Sequence, residues 1–203
     1  MRRTHSEVID PVAIEDILRT ATIGRMATVG RDGYPYVTPV NFVYHGGDIY
    51  FHCAPEGEKL DNIARDPRVC FEVDVPLSYL DSAFDPERRA CKLHQFFHCV
   101  IIRGQASIVP DGPLKTDVLN ALSRKREPSD LMPVTEGMPA YKACSVVRIK
   151  PEATTAKSDL GQNKTPEERL ALARYLAGRN QPGDAATVTA MGYDPIVLRQ
   201  RHS

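Results

Sequence analysis

The sequence predicts an α+β protein, mainly β, in which an antiparallel barrel of five or six strands carries flanking helices. Three observations lead there. Runs of strand length separated by hairpin turn residues dominate the first half of the chain. The helical segments do not alternate with those runs, as a parallel sheet requires. The phosphate-loop and dinucleotide glycine signatures are absent, and Gly30-x-x-Gly33 sits in a hairpin rather than opening a helix.

The elements follow in order. Asp10-Pro11 is a cap followed by proline at the first helical position, and Ile14, Ile17, Leu18 and Ala21 recur at helical spacing, predicting an amphipathic helix that ends near Gly24. Gly24 to Val29, Tyr34 to Tyr44 and Ile49 to Cys53 read as three antiparallel strands joined by the turns at Gly30–Gly33 and His45–Asp48. In the second run Tyr36, Thr38, Val40, Phe42 and Tyr44 share one face, and Pro39, unable to donate to a ladder, marks an edge or a bulge. Glu58 to Ala64 is a short helix ended by Asp66-Pro67, and Arg68 to Val75 alternates as a fourth strand.

Residues 76 to 94 carry no clear period and read as a long irregular segment. Phe96 to Val109 is a fifth strand bent at Gly104, Leu114 to Leu122 a helix, and Lys142 to Lys150 a sixth strand. Thr165-Pro166-Glu167-Glu168 is a cap, a first-turn proline and a capping-box glutamate, opening a helix that runs to Gly178. No internal repeat or domain boundary stands out, so residues 1–203 are expected to form one domain, with residues 10–150 as its barrel core and 151–203 as a helical extension. A chain of 203 residues buries roughly 70% of its unfolded surface, enough for a core without staples.

Twenty-six Lys and Arg against 26 Asp and Glu leave no net charge, which argues against a nucleic-acid partner. The one basic run, Arg124-Lys125-Arg126, is followed at once by Glu127 and reads as a solvated helix end. No apolar stretch approaches the ~20 residues of a membrane span. The start at Met1-Arg2-Arg3 lacks the apolar segment of a secretory signal, so the expected address is the cytoplasm. Five cysteines in a chain of this size read as reduced thiols.

The informative stretch is Gly24-Arg25-Met26-Ala27-Thr28, Asp32-Gly33-Tyr34-Pro35-Tyr36, Pro39-Val40-Asn41-Phe42-Val43-Tyr44, Ile49-Tyr50-Phe51-His52-Cys53, Gly57-x-Lys59-x-x-Asn62 and Asp66-Pro67-Arg68-Val69. This ordered set resembles the pyridoxamine-phosphate-oxidase-like superfamily of FMN-binding split barrels, and within it the branch that includes the nitroimidazole reductases. The resemblance covers roughly residues 10 to 150. It implies a six-stranded antiparallel split β-barrel of Greek-key type, a homodimer with FMN in the clefts between subunits, and oxidoreductase activity on a small organic molecule, nitroaromatics included.

Residue by residue, the resemblance implies that Arg25, Met26, Ala27 and Thr28 run along the flavin, with Arg25 near its phosphate. Lys59 would be a point charge on that phosphate, and Asn41 an amide for the pyrimidine edge of the ring. His52 and Cys53 would lie beside the cofactor, His52 as the catalytic proton donor. The pattern Cys91-x-x-His94-x-x-Phe97-x-Cys99 is a looser match, from which the resemblance implies that His98 or Cys99 reaches the partner's FMN.

Other readings of the same residues stay open. Lys59 can be a solvated lysine, His52 a rim residue, and Thr28 and Asn41 strand-end caps. Cys91, His94, His98 and Cys99 include zinc-ligand types, but His98 and Cys99 are adjacent in a strand and point to opposite faces, so no metal is expected. A non-catalytic flavin-binding or regulatory role, or a barrel that holds heme or a deazaflavin in place of FMN, remains an alternative. Pyridoxamine-phosphate oxidation itself is disfavoured, because Glu58-Lys59 stands where the resemblance leads one to expect an arginine-lysine pair.

Overall fold

The computed structural model describes residues 4–127 and 130–200; the Met1-Arg2-Arg3 start lies outside them. Its element order is β1 (Glu7–Val8), α1 (Pro11–Thr20), β2 (Gly24–Val29), β3 (Pro35–Val40), β4 (Phe42–His45), β5 (Asp48–Cys53), α2 (Glu58–Arg65), β6 (Arg68–Leu80), β7 (His94–Val109), α3 (Pro113–Arg126), α4 (Pro139–Lys142), β8 (Ser145–Asp159), α5 (Pro166–Arg179), α6 (Asp184–Ala190) and α7 (Pro195–Gln200). Three short 3-10 turns complete it.

The strands form a sheet in the order β3-β2-β6-β7-β8-β5-β4, with β1 added beside β8. The predicted six strands become eight because one is divided and β1 was not foreseen. Tyr34 to Tyr44 is not one strand. β3 pairs with β2, β4 pairs with β5, and the chain changes neighbour at Asn41, so its two halves end opposite edges of the sheet. Pro39 is tolerated because β3 is an edge strand.

The chain falls into two compact units. A strand-rich unit comprises Asp10–Val73 and Val100–Thr155; a helix-rich unit comprises the described residues up to Ile9, Asp74–Cys99 and those from Ala156 on. Strands β6, β7 and β8 each pass from one unit into the other.

In the strand-rich unit the registers Met26↔Phe71 and Phe51↔Val147 bring core side chains together. A cluster of Val43, Tyr50, Val118, Leu119, Leu122, Tyr141 and Val146 seats α3 on the sheet. Two glycines are required by close approach. A Cβ at Gly24 would lie 2.1 Å from the Phe71 ring, and one at Gly104 2.1 Å from the Lys150 carbonyl oxygen. The bend expected at Gly104 is therefore a point where β7 and β8 backbones meet without room for a side chain.

In the helix-rich unit Leu80, Phe96, Leu172, Leu176, Val188 and Leu198 form the core. Thr165 and Glu168 complete the capping box of α5, as the sequence predicts. Residues 76–80, expected to be irregular, continue β6. The buried face shifts from Val69, Phe71 and Val73 to Ser78 and Leu80, which erases a single period. Ser78 is buried because its hydroxyl donates to Asp184 (2.6 Å) and its amide to the Thr187 hydroxyl (2.8 Å). Arg179 bridges Asp184 and Asp81 at 2.7 Å each. β8 runs nine residues beyond its expected end at Lys150, to Asp159, so the expected helical extension opens as strand, and α6 and α7 follow the foreseen helix within it.

Candidate functional site

Helix α2 is the element that places Lys59. Thr28 is buried on β2; its hydroxyl donates to the Tyr36 carbonyl (3.4 Å) and accepts from the Asn62 amide (3.0 Å). Asn62 in turn accepts from Arg65 (3.1 Å), whose guanidinium also donates to the Val29 carbonyl. This chain of bonds locks α2 to β2, so Thr28 acts here as a structural partner of the helix.

Helix α2 opens at Gly57, whose φ of 134° suits glycine and which offers no side-chain cap to the first turn. Lys59 stands in that first turn with no carboxylate within ion-pair distance among the described residues. Its charge acts on the Cys53 thiol. Burial pushes that thiol up, the Cys144 thiol adds to the rise, and the Lys59 ammonium draws it back down. Cys53 and Lys59, six residues and so up to about 20 Å of extended chain apart, lie close enough for the Lys59 charge to be felt at the thiol. The Glu58 and Lys59 amides, left without a side-chain cap, and the Lys59 ammonium fit a phosphate, against the two carboxylates, Glu58 and Asp61, of the same turn. On the neighbouring edge strand the Thr38 hydroxyl is buried with no protein partner, an orphan polar atom of the kind a ligand satisfies.

His52, one residue before Cys53, is exposed on the opposite face of β5. It lines a groove of about 540 Å³ with Asn41, Phe42, Leu122, Lys125 and Tyr141. Asn41 is held there by the Arg126 guanidinium, which donates to its side-chain oxygen at 3.0 Å and to the Thr22 carbonyl at 2.8 Å. The two residues assigned to the ring edge and to proton donation therefore share one groove.

The other named residues lie elsewhere. Met26 is fully buried in the core, Arg25 points outward and pairs with Glu72 at 3.2 Å, and Ala27 and Thr28 line a second groove of about 390 Å³ with Arg68, Arg103 and Glu152. Cys99 belongs to the helix-rich unit.

The run Arg124-Lys125-Arg126 departs from its sequence reading as a solvated helix end. Arg124 and Arg126 are exposed as that reading expects, Arg126 being bound to Asn41; the departure is Lys125, half-buried with its ammonium 3.7 Å from the Phe42 ring centroid. A signal for this was present: Val118, Leu122 and Lys125 follow the i, i+4, i+7 stripe of α3, so Lys125 continues its buried face.

Strand order and the division at Asn41 define the class of protein as an antiparallel split barrel. The family model described as pyridoxamine 5'-phosphate oxidase matches residues 10–158, and the chain belongs to that family, which bears out the resemblance carried by the Arg25 to Arg68 motifs. Among solved structures, the chain is similar to a candidate 5-nitroimidazole antibiotic resistance protein from Bacteroides thetaiotaomicron, with 23% identity over 75% of this chain and 86% of that one and a TM-score of 0.64. It is similar to the flavocytochrome Anf3 from Azotobacter vinelandii, with 21% identity, 84% and 77% coverage and a TM-score of 0.67. A FAD and heme binding protein from Mycobacterium smegmatis shares 18% identity, with 82% and 79% coverage and a TM-score of 0.67. No curated protein matches in sequence. Among the described residues no helix is long and apolar enough to cross a membrane, and no three His, Cys, Asp or Glu side chains converge as a metal site.

Proposed function

We propose that the protein binds FMN and acts as an oxidoreductase on a small organic acceptor, with nitroaromatics in range. One juxtaposition supports this reading: the end of β5 sets Cys53 beside Lys59 on one side and His52 in the Asn41 groove on the other. Lys59 and the open first turn of α2 would take the phosphate. Asn41, with its oxygen held by Arg126, keeps its amide N–H groups for a carbonyl or ring nitrogen. His52 holds a proton at the mouth of the groove. The flavin itself supplies the electron-transfer chemistry, and the protein supplies anchoring and orientation.

A homodimer in the cytoplasm, with the cofactor at the subunit interface and Cys99 reaching the partner's flavin, completes the proposal.

The purified protein should be yellow and release FMN identifiable by mass. Lys59→Ala should weaken FMN binding at least about tenfold, the scale of one charge-assisted contact, while His52→Gln should keep the flavin and slow acceptor reduction. A colourless protein that takes up no added FMN sinks this reading.

A second reading, a protein that holds FAD together with heme, is favoured by the names of two similar structures and by His98. Burial lowers the pKa of His98 and favours its neutral ring, and its Nδ1 lies 2.6 Å from the Ser158 hydroxyl, leaving Nε2 as the second ring nitrogen. A Soret band in the same spectrum would select this reading.

A further inference from the structure

The groove that holds Asn41 and His52 is apolar along Phe42, Leu119, Leu122 and Tyr141 and cationic at one end. The cations there are poorly answered. Lys125 lies over the Phe42 ring and makes one long hydrogen bond, 3.4 Å, to the Leu18 carbonyl. Among the described residues Arg126 donates to neutral oxygens, those of Thr22 and Asn41. Among the described residues no carboxylate pairs with either. Arg19 on α1, itself matched by Glu15, adds to the positive potential at Lys125. Desolvating a cation without a counter-charge is costly, which bears on half-buried Lys125, while Arg126 is exposed and open to a ligand.

We propose that this groove binds a small aromatic acid: a flat ring system whose carboxylate or phosphate sits on Lys125 and Arg126 while the ring packs along Phe42, Leu119 and Leu122. A groove of about 540 Å³ is within the size range of small-molecule sites. Two adjacent cations, with no longer basic stripe, suit a single anionic group rather than a polyanion. The inference deepens the flavin-reductase reading by naming the class of its acceptor, since His52 lines the same groove, but the binding itself requires no flavin.

The test is calorimetric titration of the full chain as purified, at pH 7, with 4-nitrobenzoate, phenyl phosphate and the neutral 4-nitrobenzyl alcohol. At least one anion should bind about ten times more tightly than the alcohol, as expected for charge-assisted contacts; the tighter of the two anions identifies carboxylate or phosphate as the natural head group. The preference should disappear in Lys125→Met and persist in Lys125→Arg, with circular dichroism showing both variants folded. Equal binding of anions and alcohol, no binding of any, or a preference untouched by Lys125→Met would overturn the inference. Flavin uptake is scored separately: FMN binding without anion preference overturns only the acid site, and anion preference without FMN binding overturns only the flavin reading.

Discussion

The Lys125 ammonium sits 3.7 Å from the centroid of the Phe42 ring, so the last turn of α3 rests a cation on the aromatic face of β4. Burial, then the charges of Arg126 and Arg19, lower Lys125 from its usual 10.5 to about 8. Between those two values the unfolded chain holds more protons than the folded one, so this group's contribution to stability rises with pH across that window and is least favourable below it. Arg19 on α1, Arg126 on α3, and His52, Tyr141 and Cys144 along the groove are the ionisable neighbours. Urea denaturation of wild type and Lys125→Met should therefore show wild type gaining on the variant from pH 8 to pH 10, by about 1 kcal/mol after allowance for solvent screening. A constant difference across that range would contradict the burial of this ammonium.

Cys53 reports on Lys59 without any cofactor. The ammonium holds down a thiol that burial has raised, and only the thiolate is alkylated. Lys59→Ala should slow iodoacetamide labelling of Cys53 at pH 8, read peptide by peptide by mass spectrometry, while labelling of exposed Cys91 stays at its wild-type rate.

Two glycines that look alike in sequence should differ in cost when replaced by alanine. The added methyl at Gly24 meets the end of the Phe71 side chain, whereas at Gly104 it meets the Lys150 carbonyl and the Pro151 backbone. Gly24→Ala is expected to lose about 1–3 kcal/mol, the usual scale for overpacking. Gly104→Ala should lose more, because a main-chain oxygen in a ladder cannot move aside. Denaturation midpoints of the two variants give the order directly.

Arg179 carries the acid stability of the helix-rich unit. Burial alone would raise Asp184, but hydrogen bonds from Arg179, Ser78 and the Gln181 amide outweigh it and lower it; Asp81 is lowered by Tyr175 and Arg179. Both carboxylates thus contribute stability that is present above their ordinary range and lost as pH falls through their folded values. Arg179→Met leaves Asp184 fully buried without its cation and should cost about 3–5 kcal/mol at pH 7. The penalty should shrink toward pH 3, where protonation relieves the unpaired carboxylate.

The hairpin at Gly30–Gly33, the capping box at Thr165 and the strand carrying Arg25 are legible because each is set by neighbours a few residues away. The division at Asn41 is not. Alternation from Tyr36 to Tyr44 reports which face a side chain takes, and nothing in it reports which strand lies alongside. Ser78 hides for a related reason: a polar residue in a buried position reads as the end of a strand unless Asp184 and Thr187, more than a hundred residues later, are known to satisfy it. In the site, Asn41, His52 and Lys59 stand out through an ordered set of motifs. Lys125 and Arg126 were read by charge alone, which hides a cation whose long aliphatic stem completes an apolar stripe.

The threading of β6, β7 and β8 through both units also orders events during synthesis. Leu80 and Phe96 emerge early, but the partners that bury them, Leu172, Leu176, Val188 and Leu198, are the work of codons roughly a hundred positions further on. Until those residues are made, the nascent chain carries an uncovered apolar stretch in the middle of its length. A ribosome stalled before α5 should therefore hold a chain that recruits chaperones, and release past α7 should end that association.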